Sequence, residues 1–410
     1  MSTVTGSGRG PSPGARLTVS ALAVYLAARA ITTVFVWIAS TRQAPYEAWT
    51  GPGPVTFSDM ALMWDGTWYR RIIEGGYPSE LPLNAAGEVA QNAWAFYPFF
   101  PGLVGALSGA TGLSIAWAGI IVAGVAGAGA AVAMTHLFRR YTPAPVALAA
   151  MALWACQPAA PTLQIAYTEA LATLVLVLLL TALLNRQWLL VALLAVILGL
   201  TRPIAVPLVI VFGLVLLREA WQWWQDAHRP WRSLLAPLAA FGVTGLSGLL
   251  WPTIGSIATG RADAYAVTMA SWRSSGQIVP FRPWIDNTAI LLFPGSEHAR
   301  LYAALAVLAL AVVLLAAALG PWAWGLPMEL RAWMIAYPAY LAAVLDVGTS
   351  LIRYAVPLFP LALVLIGGGA RRPPRWWPVL ALVLVPLAIY AQYHWTMGLL
   401  VFTPPSDYPP

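Results

Sequence analysis

Side chains suited to chemistry are concentrated between residues 59 and 74. There Asp65 stands in the segment WDGTWYRRIIEGGYP. If this stretch forms one helix, positions three and four residues apart share a face, so Asp65 lies beside Trp68 and Tyr69. A carboxylate on an aromatic face loses hydration and therefore needs a polar partner or a functional task. A helix cap or an ion pair with Arg70 would satisfy Asp65 equally well.

Two neighbouring features of this region favour structural roles. Asp59 lies about 240° around the same helix from Asp65, so the two acids do not form a paired site. Its position after Ser58 is typical of a capping or first-turn acid. The aromatic run at 94–100 is typical of a membrane-interface belt, although a sugar or lipid groove would use the same residue types.

Four ionisable residues interrupt apolar segments, where a charge is costly and needs a partner or a wet cavity. They are Glu169, Arg202, Arg353 and Arg29. The expected topology brings the first three toward the side of the membrane that holds Asp65. One acid and two guanidinium groups suit an anionic substrate, because arginine binds phosphate with a planar fork. A buried Glu–Arg pair that fixes helix packing is the alternative, and Arg29 is expected to be a packing or snorkelling residue.

The remaining polar residues predict no cofactor site. Asp263, Tyr265, Trp272 and Arg273 form a weaker candidate patch in the second long loop, which would equally suit a solvated loop helix. The single cysteine, Cys156, is expected to be a small buried residue. The four histidines lack the spacing of metal ligands, and the chain has no Walker loop, Rossmann glycine pattern or GxSxG elbow. The chain is therefore not expected to use a nucleotide directly. Because arginines can neutralise a phosphate, no essential metal or other cofactor is expected.

The composition of the chain places these residues in a membrane protein. Of 410 residues, 60% are hydrophobic and 9% are charged, and the mean hydropathy is +0.73. A soluble domain carries roughly 25% charged residues, so the composition excludes an ordinary water-soluble enzyme, a disordered protein and a nucleic-acid-binding module. The basic residues are all arginine, and in a membrane protein their excess indicates topology, with basic loops on the cytoplasmic side.

Apolar segments predict an all-α, polytopic bundle of about eleven transmembrane helices. They are 17–39, 113–137, 144–162, 166–184, 187–201, 203–218, 233–253, 301–319, 323–345, 351–369 and 375–397. The positive-inside rule then gives a disordered cytoplasmic tail at 1–16, one membrane domain at 17–400 and a short outer tail at 401–410. The long loops 42–112 and 254–300 fall on the outer face, and the first contains an amphipathic juxtamembrane helix.

Two apolar stretches are ambiguous in this topology. The stretch 97–112 is short and rich in proline and glycine, and is expected to enter the membrane without crossing it. The stretch 187–218 is interrupted at Arg202-Pro203, where proline breaks the helical hydrogen-bond ladder. It is therefore predicted to form two short helices.

Four separated blocks of the sequence resemble the PIG-V-type mannosyltransferases, which are multi-pass membrane glycosyltransferases of the GT-C class. The first block is WDGTWY, GGYP and AWAFYPFFPG. The others are the Gln-Pro and Tyr-Thr-Glu-Ala-Leu stretch at 157–171, Thr-Arg-Pro at 201–203, and Ile-Arg-Tyr with Leu-Phe-Pro at 352–360. They occur in matching order over about 57–365. The arginine-only, alanine-rich composition is similar to that of an actinobacterial member.

This resemblance implies an inverting transfer of mannose from a polyprenyl-phosphate carrier on the extracytoplasmic face. Asp65 would be the general base, and Arg202 and Arg353 would neutralise the leaving phosphate. Further side chains are expected to contact substrate: Trp64, Trp68, Tyr69, Tyr77, Phe96, Tyr167, Glu169 and Tyr354. The acceptor would be a lipid-linked or envelope glycan. Gln91-Asn92 stand where eukaryotic members have an acid, so a GPI-type acceptor is not expected.

Two other classes of protein fit the same residues. A transporter or flippase for a lipid-linked saccharide would use the arginine-lined cavity and the aromatic loop, but would need no base at Asp65. A non-catalytic subunit of an envelope-assembly complex would use Asp65 and Arg353 for packing only. Substitution of Asp65 distinguishes these alternatives from the enzyme.

Overall fold

The structure, a computed structural model, describes residues 12–46, 49–226, 228, 230–273 and 279–404. Regular secondary structure in these residues is helical, with an isolated antiparallel bridge between Leu83 and Val89. The first helices are α1 (Pro13–Arg42), α2 (Phe57–Ala61), α3 (Asp65–Gly75), α4 (Phe99–Thr111), α5 (Ile115–Arg139), α6 (Ala144–Ala155), α7 (Glu169–Leu184) and α8 (Trp188–Gly199). They are followed by α9 (Leu208–Gln225), α10 (Leu235–Thr259), α11 (Ala264–Ser271), α12 (Arg282–Leu292), α13 (Ala299–Leu319), α14 (Met328–Val344), α15 (Leu351–Tyr354), α16 (Phe359–Leu365) and α17 (Trp377–Trp395).

Six helical segments in the described part of the chain are long and apolar enough to cross a bilayer. They are Pro13–Arg42, Ile115–Arg139, Pro203–Gln225, Trp231–Thr259, Ala299–Leu319 and Trp377–Leu400. Shorter apolar helices are Phe99–Thr111, Ala144–Ala155, Glu169–Leu184 and Trp188–Gly199. The structure thus supports an all-helical membrane protein with six candidate spans, and the expected number of about eleven is not established by helix length.

Polar contacts group the helix ends at one end of the bundle. Thr18 near the start of α1 lies 2.9 Å from the His136 ring near the end of α5. Arg140 after α5 donates to the Asn185 side chain after α7 at 2.8 Å. Arg186 contacts Glu219 of α9 at 2.7 Å. We call this the arginine end; the first residues of α7 and the last residues of α1 lie at the opposite end.

The predicted continuous helix over 59–74 is wrong, because the chain breaks between α2 and α3. A capping box starts α2, with Asp59 at its third position bonded to the backbone of Thr56, which confirms the first-turn role of Asp59. Trp64 then adopts a positive φ of 56° and reverses the chain. A Cβ atom on Gly66 would lie 2.7 Å from the Ala61 carbonyl oxygen, so the close approach of α2 and α3 requires glycine there.

The interruption predicted at Arg202 is present. Helix α8 ends at Gly199, and Arg202 is extended, with φ −160° and ψ 158°. Pro203 follows and cannot donate the hydrogen bond that would continue α8. The break turns the Arg202 side chain out of the helical register, so that it can contact the start of α7.

Arg29 of α1 holds neighbouring backbone within the bundle. Its side chain donates to the carbonyl of Ala160 at 2.7 Å and also to that of Ala155. The residue is 7% exposed, so it packs in the interior and does not snorkel. Cys156 is buried as predicted, at the end of α6.

The N-terminal boundary lies earlier than the sequence indicates. Helix α1 begins at Pro13, with the Ser12 hydroxyl accepting a hydrogen bond from the Ala15 amide. Residues 13–16 of the predicted disordered tail are therefore helical. Residues 1–11 of that tail, and residues 405–410 of the predicted outer tail, lie outside the described residues.

The aromatic run at 94–100 is mostly interior, so the prediction of an interface belt is wrong. Trp94 is 3% exposed and Phe100 is fully buried. The Trp94 ring packs 4.9 Å from Trp251 of α10 and 4.8 Å from Tyr77. These rings attach the first long loop to α10, and the apolar face of α3 is covered by protein because Tyr69 packs on Phe100.

Candidate functional site

Asp65 and Arg353 form an ion pair between residues 288 positions apart. Asp65 is the first residue of α3, immediately after the reversal at Trp64. Arg353 lies on the four-residue helix α15. The Asp65 side chain is 21% exposed and that of Arg353 only 4%. The pair therefore has a buried cation and an accessible carboxylate, and the ion-pair partner of Asp65 is Arg353 and not Arg70.

A second ion pair lies directly behind the first. Glu169, the first residue of α7, contacts Arg202, and its Oε1 also lies 3.5 Å from Nε of Arg353. Arg202 donates to the Thr168 hydroxyl at 3.2 Å. Asp65, Glu169, Arg202 and Arg353 are called the charge cluster below, and their formal charges cancel. The convergence of these four residues agrees with the arrangement expected from the sequence.

Glu169 is held by ion pairs and not by hydrogen bonds of normal geometry. Its side chain is 1% exposed, and neither carboxylate oxygen has a hydrogen-bond partner of normal geometry among the described residues. A buried carboxylate in this state depends on the two guanidinium groups beside it. Glu169 therefore holds Arg202 and Arg353 together in the interior.

Tyrosine rings cover the two guanidinium groups. The ring of Tyr354 lies 5.2 Å from the guanidinium carbon of Arg202 and of Arg353. The ring of Tyr167 lies 5.2 Å from Arg353 on α15, and the Tyr167 hydroxyl donates to the Met63 carbonyl at 3.4 Å. Such cation–π contacts stabilise the desolvated arginines. Two of the four tyrosines predicted to contact substrate, Tyr167 and Tyr354, are thus in direct contact with the charge cluster.

Tyr69 stays neutral next to this cluster. Burial raises its pKa well above the usual value for a phenol, and the negative charge of Asp65 adds to the shift. A phenol in this state can donate a hydrogen bond but cannot serve as a base near neutral pH. Asp65 is therefore the better candidate for accepting a proton.

Trp68, Phe96 and Trp272 form an aromatic wall one turn along α3 from Asp65. Trp68 and Phe96 stack at 5.5 Å, and Trp272 meets Trp68 edge-on at 5.3 Å. The guanidinium of Arg71 lies 4.8 Å from the Trp68 ring. The Trp272 indole N–H has no hydrogen-bond partner among the described residues, which leaves it as a donor at the wall.

The four residues of the weaker candidate patch in the second long loop do not form one site. Asp263 pairs with Arg261 at the surface at 2.6 Å, as a solvated loop would. The Tyr265 hydroxyl lies 2.9 Å from that of Tyr97 and joins the loops, while Arg273 donates to the Val344 carbonyl. Of these four residues, Trp272 is the one that reaches the wall on α3.

Two predicted substrate contacts are engaged in aromatic packing. The Trp64 ring lies 4.3 Å from Trp49, and its indole N–H donates to the Leu400 carbonyl at 3.4 Å. The Tyr77 hydroxyl donates to the Phe96 carbonyl at 3.0 Å. Both side chains therefore build the scaffold of the site.

The chemistry that this arrangement permits is anion binding beside an accessible carboxylate. Two buried guanidinium groups can neutralise a phosphate, and Asp65 can accept a proton from a bound hydroxyl. Within the described residues, no group of three or more His, Cys, Asp or Glu side chains is placed to hold a metal ion. No family model matches the chain, and none of the curated proteins matches it significantly.

Proposed function

We propose that the protein is a membrane glycosyltransferase that moves mannose from a polyprenyl-phosphate carrier to a lipid-linked or envelope-glycan acceptor. The observation that carries the proposal is the position of Asp65 at the accessible edge of the charge cluster. Its carboxylate is partly exposed, whereas the Arg353 and Glu169 side chains behind it are almost completely buried. A base that meets solvent on one side and a phosphate-binding cation on the other has the layout that sugar transfer needs.

The transfer step uses Asp65 as the proton acceptor. An acceptor hydroxyl attacks the anomeric carbon of the donor sugar as the bond from that carbon to the phosphate oxygen breaks. The hydroxyl proton passes to Asp65, and polyprenyl phosphate leaves with the bonding electron pair. Attack opposite the leaving group inverts the anomeric centre.

Arg353 and Arg202 stabilise the charge that develops on the leaving phosphate. Arg353 forms an ion pair with Asp65, which occupies the carboxylate. A donor phosphate competes for the same guanidinium group and so releases Asp65 to act as a base. Glu169 keeps both arginines in place while Arg353 changes partner.

The acceptor fits the aromatic wall. Trp68 and Trp272 offer apolar ring faces on which a sugar can pack, and the unpartnered indole N–H of Trp272 is a donor for a sugar hydroxyl. The wall begins one helical turn from Asp65, close enough for a bound saccharide to present a hydroxyl to the base.

The proposed topology has about eleven spans, with a cytoplasmic amino terminus and an extracytoplasmic active site. In addition to the six long segments, it assigns membrane crossings to α6, α7, α8, α14 and the pair α15–α16. The grouping of Arg140, Arg186 and Arg218 at the arginine end supports it, since basic residues favour the cytoplasmic side. The charge cluster then faces outward.

The test is transfer of radiolabelled mannose from synthetic polyprenyl-phosphate mannose by the purified full-length protein, with envelope lipids and glycans as acceptors. The wild type should label an acceptor, and Asp65→Asn should lower the rate by at least about a hundredfold, the scale of a lost general base. Glu74→Gln is the matched control, because Glu74 is an exposed acid on the same helix. It should transfer at the wild-type rate.

Circular dichroism and elution profiles in detergent establish that the variants fold. Transfer by Asp65→Asn within about threefold of the wild type would refute the assignment of the base, since removal of a general base costs far more. Binding of donor by wild type without transfer from any polyprenyl-linked sugar would instead indicate a flippase or an assembly subunit.

A further inference from the structure

A separate cavity lies at the arginine end of the bundle. It has a volume of about 360 Å³ and is lined by Arg186, Arg218, Gln222 and Glu329, within the roughly 300–1,000 Å³ typical of small-ligand sites. The length of α7, 16 residues, separates it from Glu169 by about 24 Å along the helix axis. The cavity is therefore independent of the charge cluster and of the proposed transfer reaction.

Two buried carboxylates fix the arginines of this cavity. Glu219 lies 2.7 Å from Nη2 of Arg186, and Glu329 accepts a hydrogen bond from Nη2 of Arg218 at 2.6 Å. Both acidic side chains are 1% exposed, whereas those of Arg186 and Arg218 are 47% and 35% exposed. The carboxylates are thus anchored within the protein, and the guanidinium groups reach the opening.

Glu329 presents an unused acceptor to the cavity. Its Oε2 atom is buried and accepts no hydrogen bond from the residues that the structure describes, and Nε of Arg218 likewise has no acceptor among them. Leaving a buried charged group partly unsatisfied is costly. A ligand with an N–H donor for Glu329 and an acceptor for Arg218 would satisfy both groups.

We propose that this cavity binds the headgroup of phosphatidylethanolamine. The phosphate accepts hydrogen bonds from Arg186 and Arg218, and the ammonium group donates to Glu329. Two carboxylates, Glu219 and Glu329, balance the two guanidinium groups in formal charge. A zwitterionic headgroup therefore matches the cavity better than an anionic one.

Exposed tryptophans indicate that the occupant comes from the bilayer. Trp221 and Trp224 lie one residue before and two residues after Gln222 on α9, and they are 57% and 69% exposed. Trp324, 52% exposed, lies a few residues before the start of α14. Exposed indoles favour the level of lipid headgroups, so the cavity opens where a lipid can enter it sideways.

The experiment is native mass spectrometry of the full-length protein in detergent, titrated with phosphatidylethanolamine or phosphatidylcholine of identical acyl chains. Choline has no N–H and cannot donate to Glu329, so the ethanolamine lipid should bind about tenfold more tightly, the worth of one charge-assisted hydrogen bond. Phosphatidylglycerol, which carries a net negative charge, should also bind more weakly than phosphatidylethanolamine.

Substitutions in the cavity test whether the preference for phosphatidylethanolamine arises at this site. Glu329→Gln should bind the ethanolamine and choline lipids equally, because the carboxylate that reads the ammonium group is gone. If that variant does not fold, Gln222→Trp fills the mouth from an exposed position and should remove the tight lipid. Asp226→Asn, at an exposed acid near the end of α9, is the control and should keep the preference.

Three results would overturn the proposal. Equal binding of the ethanolamine and choline lipids by wild type would mean that Glu329 accepts no hydrogen bond from the headgroup. Tighter binding of phosphatidylglycerol would mean that the cavity selects negative charge. Binding of soluble glycerophosphoethanolamine as tight as that of phosphatidylethanolamine would mean that the occupant is a free phosphodiester and not a membrane lipid.

Discussion

Replacing Glu169 by Gln removes the charge that holds two arginines together in the interior. The Glu169 side chain is 1% exposed and contacts Arg202 and Arg353. The charge cluster has no net formal charge in the wild type and would carry one uncompensated positive charge in the variant. Removal of one partner from a buried pair costs roughly 3–5 kcal/mol. We expect the lower end, about 3 kcal/mol, because Arg353 keeps Asp65 as its counter-ion.

A double variant shows whether charge or shape causes the loss. Glu169→Gln together with Arg202→Gln restores a formally neutral cluster, so it should be more stable than Glu169→Gln alone. The free energy of unfolding is measured in mixed micelles by intrinsic tryptophan fluorescence as denaturing detergent is added. Asp263→Asn is the control, since Asp263 pairs with Arg261 at the surface, and it should leave the transition unchanged.

Either of two results would refute this role of Glu169. A Glu169→Gln protein within about 0.5 kcal/mol of the wild type would behave like a surface substitution. A double variant that loses as much stability as its two single variants combined would show that the side chains act independently, and the electrostatic coupling between Glu169 and Arg202 would be absent.

Two further predictions concern arginines. Arg29→Met leaves the carbonyls of Ala155 and Ala160 without their donor, so the unfolding free energy should fall by about 2–4 kcal/mol. Arg29→Lys should lose less stability than Arg29→Met. A Met variant as stable as the wild type would show that Arg29 does not stabilise these carbonyls. Arg353→Lys keeps the charge but loses the planar fork, so affinity for a short-chain polyprenyl phosphate, measured by titration calorimetry, should fall about tenfold. Acceptor affinity should not change, and unchanged donor affinity would remove Arg353 from the phosphate site.

Local features of the site could be predicted from the sequence because their causes are local. Asp59 follows Thr56 by three residues, which is the spacing of a capping box, and it forms one. Pro203 interrupts the apolar run and breaks the helix beside Arg202. Glu169 and Arg353 stand in apolar segments, where a charge requires a partner, and the structure gives each of them an ion-pair partner.

The reversal before Asp65 could not be predicted in the same way. Helical spacing predicts one continuous helix there, and tertiary contact overrides it: the Ala166 amide donates to the Ala61 carbonyl at 3.1 Å, and Trp64 takes a positive φ. The location of the aromatic run at 94–100 could not be predicted either, since interface belts and protein interiors use the same aromatic residues. Trp251, more than 150 positions away, makes it interior.

The sequence by itself determined the class of the protein and the residues that carry its charges. With 9% charged residues, the chain can remain folded only where its apolar helices are covered by lipid or by one another, so a helical membrane bundle follows from composition. The tertiary structure decided which charges meet. Asp65 binds Arg353 across 288 residues because a reversal, a helix break and a four-residue helix converge, and no local spacing encodes that meeting.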